Sequence, residues 1–338
     1  MKKIYLLFII LSSLSCYDGL TGMLDDLNIK VPICVNSVTG NDADNGRGWA
    51  NAKQTLQAAV NAADAGDEIW IAGAQTVSSV ILLTQPVSIY GGFNGTESRL
   101  TERSTASRAV ITGSVSTQQI SIKSSNVIID SVNFQACANG SAITADTALS
   151  VVIKNCDFTS NTSSAIRTSN STVEISGCRF INNKITNNSG GAISSSAGQI
   201  IITSSYFENN NTNNGGGAIF TNNAGTLNIS DTDFIKNNAN SGGAISLGPD
   251  SSLYITGGVF NENFASGTGA MGGAICSSGK SVIITGTAFI KNNTYEHGGA
   301  IYAYNAESFT VTGCYFGSTG KEKPSDTVNK NYTVAGAG

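Results

Sequence analysis

The sequence predicts an all-β fold, a single-stranded right-handed parallel β-helix in which each turn of the coil, here called a rung, stacks on the one before. Three features support this prediction: a Phe that returns every 22–29 residues, an alternating apolar pair before it, and a Gly-Gly-Ala-Ile motif between successive Phe residues. The 338 residues include 38 Gly and 4 Pro, and 12% are charged. This composition favours short strands joined by tight turns.

The amino terminus has the pattern of an export signal. Lys2 and Lys3 precede a short apolar run that ends before Cys16. We expect residues 1–15 to be removed as a signal peptide, Cys16 to be lipidated and residues 16–31 to act as a tether. The alternative is ordinary cleavage that leaves Cys16 as a free thiol. Lipidation would place the protein at the outer membrane or cell surface, with the membrane as a partner through the lipid anchor.

Residues 32–338 read as one β-helix domain, whose first part, residues 32–110, is an amino-terminal cap with the first rungs. Strands are predicted at residues 33–35, 68–71, 80–83 and 87–93. Between them, Leu56, Val60 and Ala63 share one face of a short helix predicted over residues 52–63. We expect this helix to cover the open end of the coil, where unpaired strand edges would otherwise recruit another chain.

Residues 120–316 carry the repeat, and residues 317–338 are predicted to cap the other end. The recurring aromatic residues are Phe134, Phe158, Phe180, Phe207, Phe234, Phe260, Phe289 and Phe316. Apolar residues seven and five positions before each Phe alternate as in a strand with one buried face. An Asn three positions after Phe recurs at Asn161, Asn183, Asn210, Asn237, Asn263 and Asn292. We expect the Phe residues to stack inside the coil and the Asn residues to occupy corners, where Asn tolerates left-handed dihedrals and bonds to the next rung.

One corner of the repeat takes all the variation in length. From Phe to the Ile of the next Gly-Gly-Ala-Ile motif the spacing is 8–15 residues, whereas from that Ile to the next apolar pair it is 7 or 8. The variable loops are residues 184–189, 211–215, 238–241, 264–271 and 293–296. Because rungs stack in register, these loops should form a column on one side, where Phe264, Met271, Tyr295 and His297 are the candidate binding residues. The alternative is that the insertions are tolerated without a partner.

The two motifs together resemble the repeat of chlamydial polymorphic outer membrane proteins over roughly residues 130–316. The first third is similar to the leading segment of bacterial surface proteins with a pectin-lyase-like β-helix. The resemblance implies a secreted, surface-exposed β-helix involved in host-cell adhesion. We therefore expect a non-enzymatic surface lipoprotein that acts as an adhesin, with a host protein or glycan as partner.

The alternative is a carbohydrate-active or carbohydrate-binding β-helix protein, because pectate lyases and polygalacturonases share this fold. Those enzymes need clustered carboxylates on one face. Here Asp157 and Asp233 fall in non-adjacent rungs, and His297 lacks the Gly-His-Gly context of the hydrolases. We expect no catalytic residue and no enzyme activity.

Few residues favour other ligands. With a formal net charge of −4 and no cluster of Lys and Arg, nucleic acid is not an expected partner. No cofactor motif is present, and no metal is expected. Residues 42–46 are rich in oxygen ligands for Ca²⁺, but a structural turn is favoured. Cys156 and Cys178 fall in successive rungs within disulfide reach, although a reduced ladder is favoured over a disulfide.

Overall fold

The computed structural model describes residues 30–113, 118–137, 140–148 and 150–317, and the backbone of residues 332–335. The predicted signal peptide, Cys16 and all but the end of the tether lie outside the described residues, as does most of the predicted carboxy-terminal cap. The described chain winds into a right-handed parallel β-helix, which confirms the predicted fold class. Within the described residues, no helix is long and apolar enough to span a membrane.

Three parallel sheets form the sides of the coil. Sheet A, the largest, has 19 strands: Ile33–Asn36, Glu68–Ala72, Ile81–Leu83, Ser88–Phe93, Ile120–Ile122, Val127–Asp130, Ile143–Asp146, Val151–Lys154, Ile166–Ser176, Ile193–Thr203, Ile219–Asn222, Thr226–Ser230, Ile245–Leu247, Ser252–Thr256, Ile275–Ser277, Ser281–Thr285, Ile301–Tyr304, Ser308–Thr312 and Tyr332–Ala335. It therefore contains both the motif strands and the apolar-pair strands.

The other two sheets hold the Phe column and the variable corner. Sheet B has 10 strands: Ala74–Val77, Ala109–Gly113, Val132–Gln135, Asp157–Thr159, Arg179–Ile181, Tyr206–Glu208, Asp233–Ile235, Val259–Asn261, Ala288–Ile290 and Tyr315–Gly317. Sheet C has five two-residue strands: Lys184–Ile185, Asn211–Thr212, Asn238–Ala239, Phe264–Ala265 and Asn293–Thr294.

The Phe column fills the coil as predicted. Successive rings from Phe134 to Phe316 stack face to face, with centroids 4.5–5.1 Å apart and planes within 15° of parallel. Residues of the apolar pairs, such as Val282 and Ile284, are fully buried beside them. The pairing register places like residues above one another, for example Phe207 on Phe234. One continuous core therefore runs along the axis.

The motif glycines are required at a tight corner. Gly216 and Gly242 adopt φ values of 69° and 60°, which L residues rarely adopt. A Cβ on the second glycine, Gly217, would lie 2.1 Å from the carbonyl oxygen of Gly243 in the next rung. The glycine pair thus supplies both the left-handed geometry and the close backbone approach that this corner requires.

A short helix, α1 (Leu56–Ala62), closes the amino-terminal end of the coil. Leu56 and Ala59 are buried in the core, and Val60 and Ala63 pack partly buried against it. The helix begins later than predicted because the chain first forms a 3-10 turn, Trp49–Asn51, and because Thr55 caps the helix by accepting a hydrogen bond from the Ala58 N–H.

The Asp42 loop is a structural turn. The Asp42 carboxylate accepts hydrogen bonds from the backbone N–H groups of Gln54 and Thr55 and from the Thr55 hydroxyl, at 2.8–2.9 Å. Burial raises the pKa of Asp42, but these hydrogen bonds outweigh it and hold the pKa below its usual value. The oxygens that were considered for Ca²⁺ instead hold the start of α1.

Candidate functional site

The variable corner begins as ordered structure rather than as free loops. Each of the five insertions was predicted to be a loop from its first residue, but each starts with a two-residue strand of sheet C. These strands pair in parallel, as Asn211 does with Asn238. The insertions therefore leave the coil from one side, at a position that sheet C fixes.

A ladder of asparagines, buried except for the half-buried last one, holds this corner in place. The ladder is Asn161, Asn183, Asn210, Asn237, Asn263 and Asn292. The amide Nδ2 of each donates to the Phe carbonyl of the preceding rung at 2.8–3.4 Å. Except in Asn292, Nδ2 also donates to the Oδ1 of the next Asn at 2.8–3.0 Å. The ladder was predicted, but the left-handed residue is the one before it, such as Asn209 or Lys236.

A groove lies between this corner and the outer surface of the motif strands. Because the motif Ile points inward, the residue after it points outward, and Arg167, Ser194 and Phe220 follow one another in register. The groove, which we call the corner groove, has a volume of about 270 Å³. Its lining residues are Arg167, Thr168, Asn187, Asn188, Ser189, Ser194, Ser195, Ser196, Asn214, Phe220 and Asn222.

The lining combines amides and hydroxyls with one aromatic ring and one cation. Phe220 is half-buried, whereas Arg167 and the amides of Asn187 and Asn188 are exposed. No carboxylate lines the groove. None of the ion pairs among the described residues involves Arg167. The guanidinium is therefore available for an anionic group of a ligand.

The wall of the groove approaches its floor at Gly215. A Cβ there would lie 2.9 Å from Ser246 Oγ and 3.8 Å from the Phe220 ring. Only glycine fits without displacing the serine. The variable corner and the sheet A surface therefore form one continuous concave wall beside Phe220.

The four predicted binding residues lie further along the coil, at its carboxy-terminal rungs. Phe264 and Tyr295 pack edge to face with ring centroids 5.0 Å apart. Met271 and His297 pair as an isolated parallel bridge, and the His297 ring stacks on Tyr302 at 6.0 Å. The structure thus groups these residues but does not place them in the corner groove.

Sequence reasoning missed the outward positions that line the floor. Arg167, Ser194 and Phe220 each follow the Ile of a motif copy, where a strand must turn its side chain to the outside. The period-two alternation of a strand was enough to find them. They were overlooked because the inward residues repeat and the outward ones do not.

The carboxylates considered for catalysis stay apart. In sheet B the order of outward residues is Asp157, Arg179, Tyr206, Asp233. Three rung spacings of about 4.8 Å separate the two Asp residues by about 14 Å, beyond the roughly 5–9.5 Å of a glycosidase pair. Within the described residues, no three His, Cys, Asp or Glu side chains converge as metal ligands.

The paired cysteines belong to a buried ladder. Cys156 and Cys178 are free and fully buried, and the Cys156 N–H donates to Cys178 Sγ at 3.4 Å. The ladder continues through hydroxyls, since the Cys178 N–H donates to Ser205 and the Ser205 N–H to Thr232. Burial raises the pKa of Cys156 well above its usual value, so it stays a thiol at neutral pH.

No protein-family model matches the chain, and no curated protein matches it. Solved structures do. Two forms of the pectin methylesterase from Aspergillus niger, one deglycosylated and one penultimately deglycosylated, are each 13% identical, with TM-scores of 0.41 and 0.43 and 91% of both chains covered. Tailspike protein 3 of bacteriophage CBA120 is 11% identical with a TM-score of 0.26, covering 95% of this chain and 64% of the tailspike.

These comparisons correct one prediction. We predicted that the protein is not an enzyme. That prediction is wrong, because two of the similar structures are named as pectin methylesterases, which are enzymes. At such low identity the similarity carries no substrate or catalytic residue over to this chain. The fold is carried by the chain's own sheets: its described residues form a right-handed parallel β-helix.

Proposed function

We propose that this protein binds a carbohydrate in the corner groove. The observation that carries the proposal is the lining: four asparagine amides and several serine hydroxyls surround one half-buried ring, Phe220, and one unpaired cation, Arg167. Amides and hydroxyls both donate and accept hydrogen bonds, as the hydroxyls of a sugar require. An aromatic face offers an apolar platform for the C–H face of a sugar ring.

Arg167 favours acidic carbohydrates over neutral ones. Its guanidinium lies in a groove without carboxylates and can bind a carboxylate through two parallel hydrogen bonds. We therefore propose that sugars bearing a carboxylate, such as uronic acids, bind more tightly than neutral ones. In a largely uncharged wall, one such pair changes selectivity more than total affinity.

A second form of the same proposal is that the protein also converts the bound sugar chemically. The groove itself holds no carboxylate for general acid or base catalysis. A reaction there would use other groups, so we test for it through its products rather than assign catalytic residues.

Display and adhesion are proposed on separate grounds. Lipidation of Cys16 would hold the coil at the outer membrane or cell surface, where a host glycan or host protein would meet the variable corner. The support is the lipoprotein-like segment and the repeat's resemblance to surface proteins. Cys16 itself lies outside the described residues.

The test is glycan binding by the purified protein, first on an array of neutral and acidic glycans and then by calorimetry. Phe220→Ala should weaken binding about tenfold, the equivalent of one stacked ring. Arg167→Gln should weaken uronic-acid ligands and spare neutral ones. Tyr254→Ala is the matched control, because Tyr254 is an exposed aromatic residue on the other half of sheet A.

Two outcomes would contradict the proposal: absence of binding to any glycan, or equal affinity of wild type and Phe220→Ala. A parallel incubation with polyuronates and methyl-esterified polyuronates measures unsaturated products, reducing ends and released methanol. Any of these products, formed by the wild type and lost in Phe220→Ala, would establish the enzymatic form of the proposal.

A further inference from the structure

A cleft with apolar walls lies at the amino-terminal end of the coil, beside the end of α1. We call it the base cleft, and its volume is about 240 Å³. The end of α1 and the strand Ile81–Leu83 face each other across it. Its lining residues are Val60, Asn61, Ala63, Leu82, Leu83, Thr84, Gln85 and Val87.

The strand that lines the base cleft has one open edge. Ile81–Leu83 pairs with Ile120–Ile122 on one side, and no other described strand or bridge pairs with it. Leu82 is 46% exposed, which makes it one of the exposed large apolar side chains of the described chain. Proteins usually cover such an edge with a helix or a loop, because an open apolar edge recruits other chains. α1 leaves Leu82 exposed, so a further segment is needed to cover it.

The described chain begins at the rim of this cleft. Lys30 Nζ donates a hydrogen bond to the Ala65 carbonyl at 2.7 Å and forms an ion pair of 3.1 Å with the buried Asp67. The next residue after Ala65, Gly66, donates its N–H to the Pro86 carbonyl at 2.6 Å. Pro86 stands in the sequence between two lining residues of the cleft. The residues that precede Lys30 therefore start from the rim.

Those preceding residues have the pattern of a segment that binds through one apolar face. Four apolar side chains follow the i, i+3, i+4, i+7 spacing of a helix face: Leu20, Met23, Leu24 and Leu27. Asp25 and Asp26 fall on the opposite face in this spacing. A segment of about ten residues cannot bury such a face by itself, so the face needs a partner surface.

We propose that residues 20–29, the carboxy-terminal part of the predicted tether, dock in the base cleft with their apolar face against Leu82 and Val60. A membrane surface or a second copy of the chain would also accept an apolar face. The chain's own cleft is favoured because the segment is joined directly to the rim at Lys30. This connection gives it an effective concentration in the millimolar range, which no separate partner matches.

Docking would set the distance between the coil and a lipid anchor. This consequence rests on the proposed lipidation of Cys16, whereas the docking does not. Undocked, residues 17–29 could extend about 45 Å from the anchor. Docked, only residues 17–19 remain free, which span about 10 Å. The docked tether would therefore hold the amino-terminal end of the coil close to the membrane, with the corner groove further out.

Photocrosslinking tests the contact directly. A benzophenone amino acid replaces Leu24 in the full chain, which is irradiated in detergent solution and in cell membranes, and mass spectrometry locates the adducts. We expect adducts within one chain to residues 60–63 or 82–87. An adduct that joins two copies would assign the cleft to a second copy and overturn the proposal. Adducts to lipid alone, or no adduct to the cleft, would overturn it as well.

Hydrogen exchange tests whether the cleft holds the segment. Amides of residues 20–29 should exchange at least about tenfold more slowly than in an unstructured peptide of the same sequence, the equivalent of docking for nine-tenths of the time. Leu82→Asp places a charge in the cleft and should abolish this protection. Val38→Asp is the matched control, because Val38 is an apolar residue, 85% exposed, that does not line the cleft.

Protection of residues 120–316 reports whether each variant is folded. Fast exchange of residues 20–29 in the wild type, or unchanged protection in a folded Leu82→Asp variant, would show that the segment does not dock there. Cys16→Ala should leave both the crosslinks and the exchange unchanged. Loss of the lipid anchor and failure of docking are therefore distinguished by separate results.

Discussion

Each ladder asparagine except Asn292, the last, ties three successive rungs together through one side chain. Asn237 donates to the Phe207 carbonyl in the rung before and to Asn263 Oδ1 in the rung after, both at 3.0 Å. Its own Oδ1 accepts from the backbone and the side chain of Asn210. Because all these groups are buried, no water can replace a missing partner. A single residue in this position therefore supports the corner from which the groove wall rises.

Asn237→Ala should lower the free energy of unfolding by at least about 3 kcal/mol, since it strands the Phe207 carbonyl and two donors of Asn210. Urea unfolding followed by circular dichroism measures the change. Asn261→Ala is the control, because Asn261 faces outward on sheet B and should change stability by less than about 0.5 kcal/mol. Equal effects of the two substitutions would show that the ladder does not stabilise the coil.

Asp130 should make the coil sensitive to acid. Burial raises its pKa, but hydrogen bonds from Asn155, Arg103 and Ser131 outweigh burial and hold the pKa below its usual value. A carboxylate with a lowered pKa stabilises the folded state at pH values above the unfolded pKa of about 3.9, and this stability is lost as the pH falls through the folded pKa.

Urea midpoints measured between pH 6 and pH 3 should therefore fall more steeply for wild type than for Asp130→Asn, which is expected to be less stable at neutral pH. Asp146→Asn removes an ion pair with Lys123 whose two side chains are both exposed, and its pH profile should follow that of wild type. Parallel profiles for wild type and Asp130→Asn would rule out Asp130 as the source of acid sensitivity.

At the level of elements, the strands are short and depend on their neighbours. The ring of Phe234 lies 4.8 Å from that of Phe207 and 4.6 Å from that of Phe260, with no exposed surface. A three-residue strand such as Asp233–Ile235 has no stability of its own, so the stacked ring is what positions it. Loss of one ring leaves a cavity that faces two other rungs.

Phe234→Asp should destabilise the protein by at least about 4 kcal/mol, because it buries a carboxylate among stacked rings. Phe234→Ala should cost about 3–5 kcal/mol through the cavity alone. Thermal unfolding measures both, with Tyr254→Ala as the exposed aromatic control. An unchanged melting temperature in Phe234→Asp would contradict the inward assignment of the Phe column.

The repeated elements were predictable from sequence, and those that occur once were less so. Phe, Val and Ile recur because every rung buries the same positions, so the inward columns could be read without a structure. The sequence analysis predicted loops where sheet C lies. Residues such as Asn238 and Ala239 have no strand preference, and they pair only because the asparagine ladder aligns their rungs. The start of α1 was misplaced because Thr55 receives its support from Asp42, which is distant in sequence.

At the scale of the whole molecule, position relative to the membrane determines what the groove can meet. If Cys16 is lipidated, Cys16→Ala should abolish acyl labelling and move the protein from the detergent phase to the aqueous phase. Several acyl chains on one cysteine hold a protein far more firmly than one myristoyl chain does. Cys34→Ala serves as the control, because this buried thiol should not be acylated. Unchanged detergent partitioning of Cys16→Ala would refute the lipid anchor.

The candidate site was only half predictable. The side of the coil was identified from the insertions, and the four residues chosen there form two contacting pairs, Phe264 with Tyr295 and Met271 with His297. The corner groove was not found, because it combines a loop with outward residues of a different sheet. Nothing in the sequence around Phe220 or Arg167 marks either residue as part of a site. Their role in the groove depends on Asn187 and Asn214, which the coil brings beside them.

A coil built from interchangeable rungs also behaves as a ruler. Gain or loss of one complete repeat would leave the Phe column and the asparagine ladder in register, since each rung presents the same residues to the next. The length of the coil would then change by a fixed increment of about 4.8 Å. The distance between the two ends of the coil would thus change in whole repeats rather than by gradual substitution of residues.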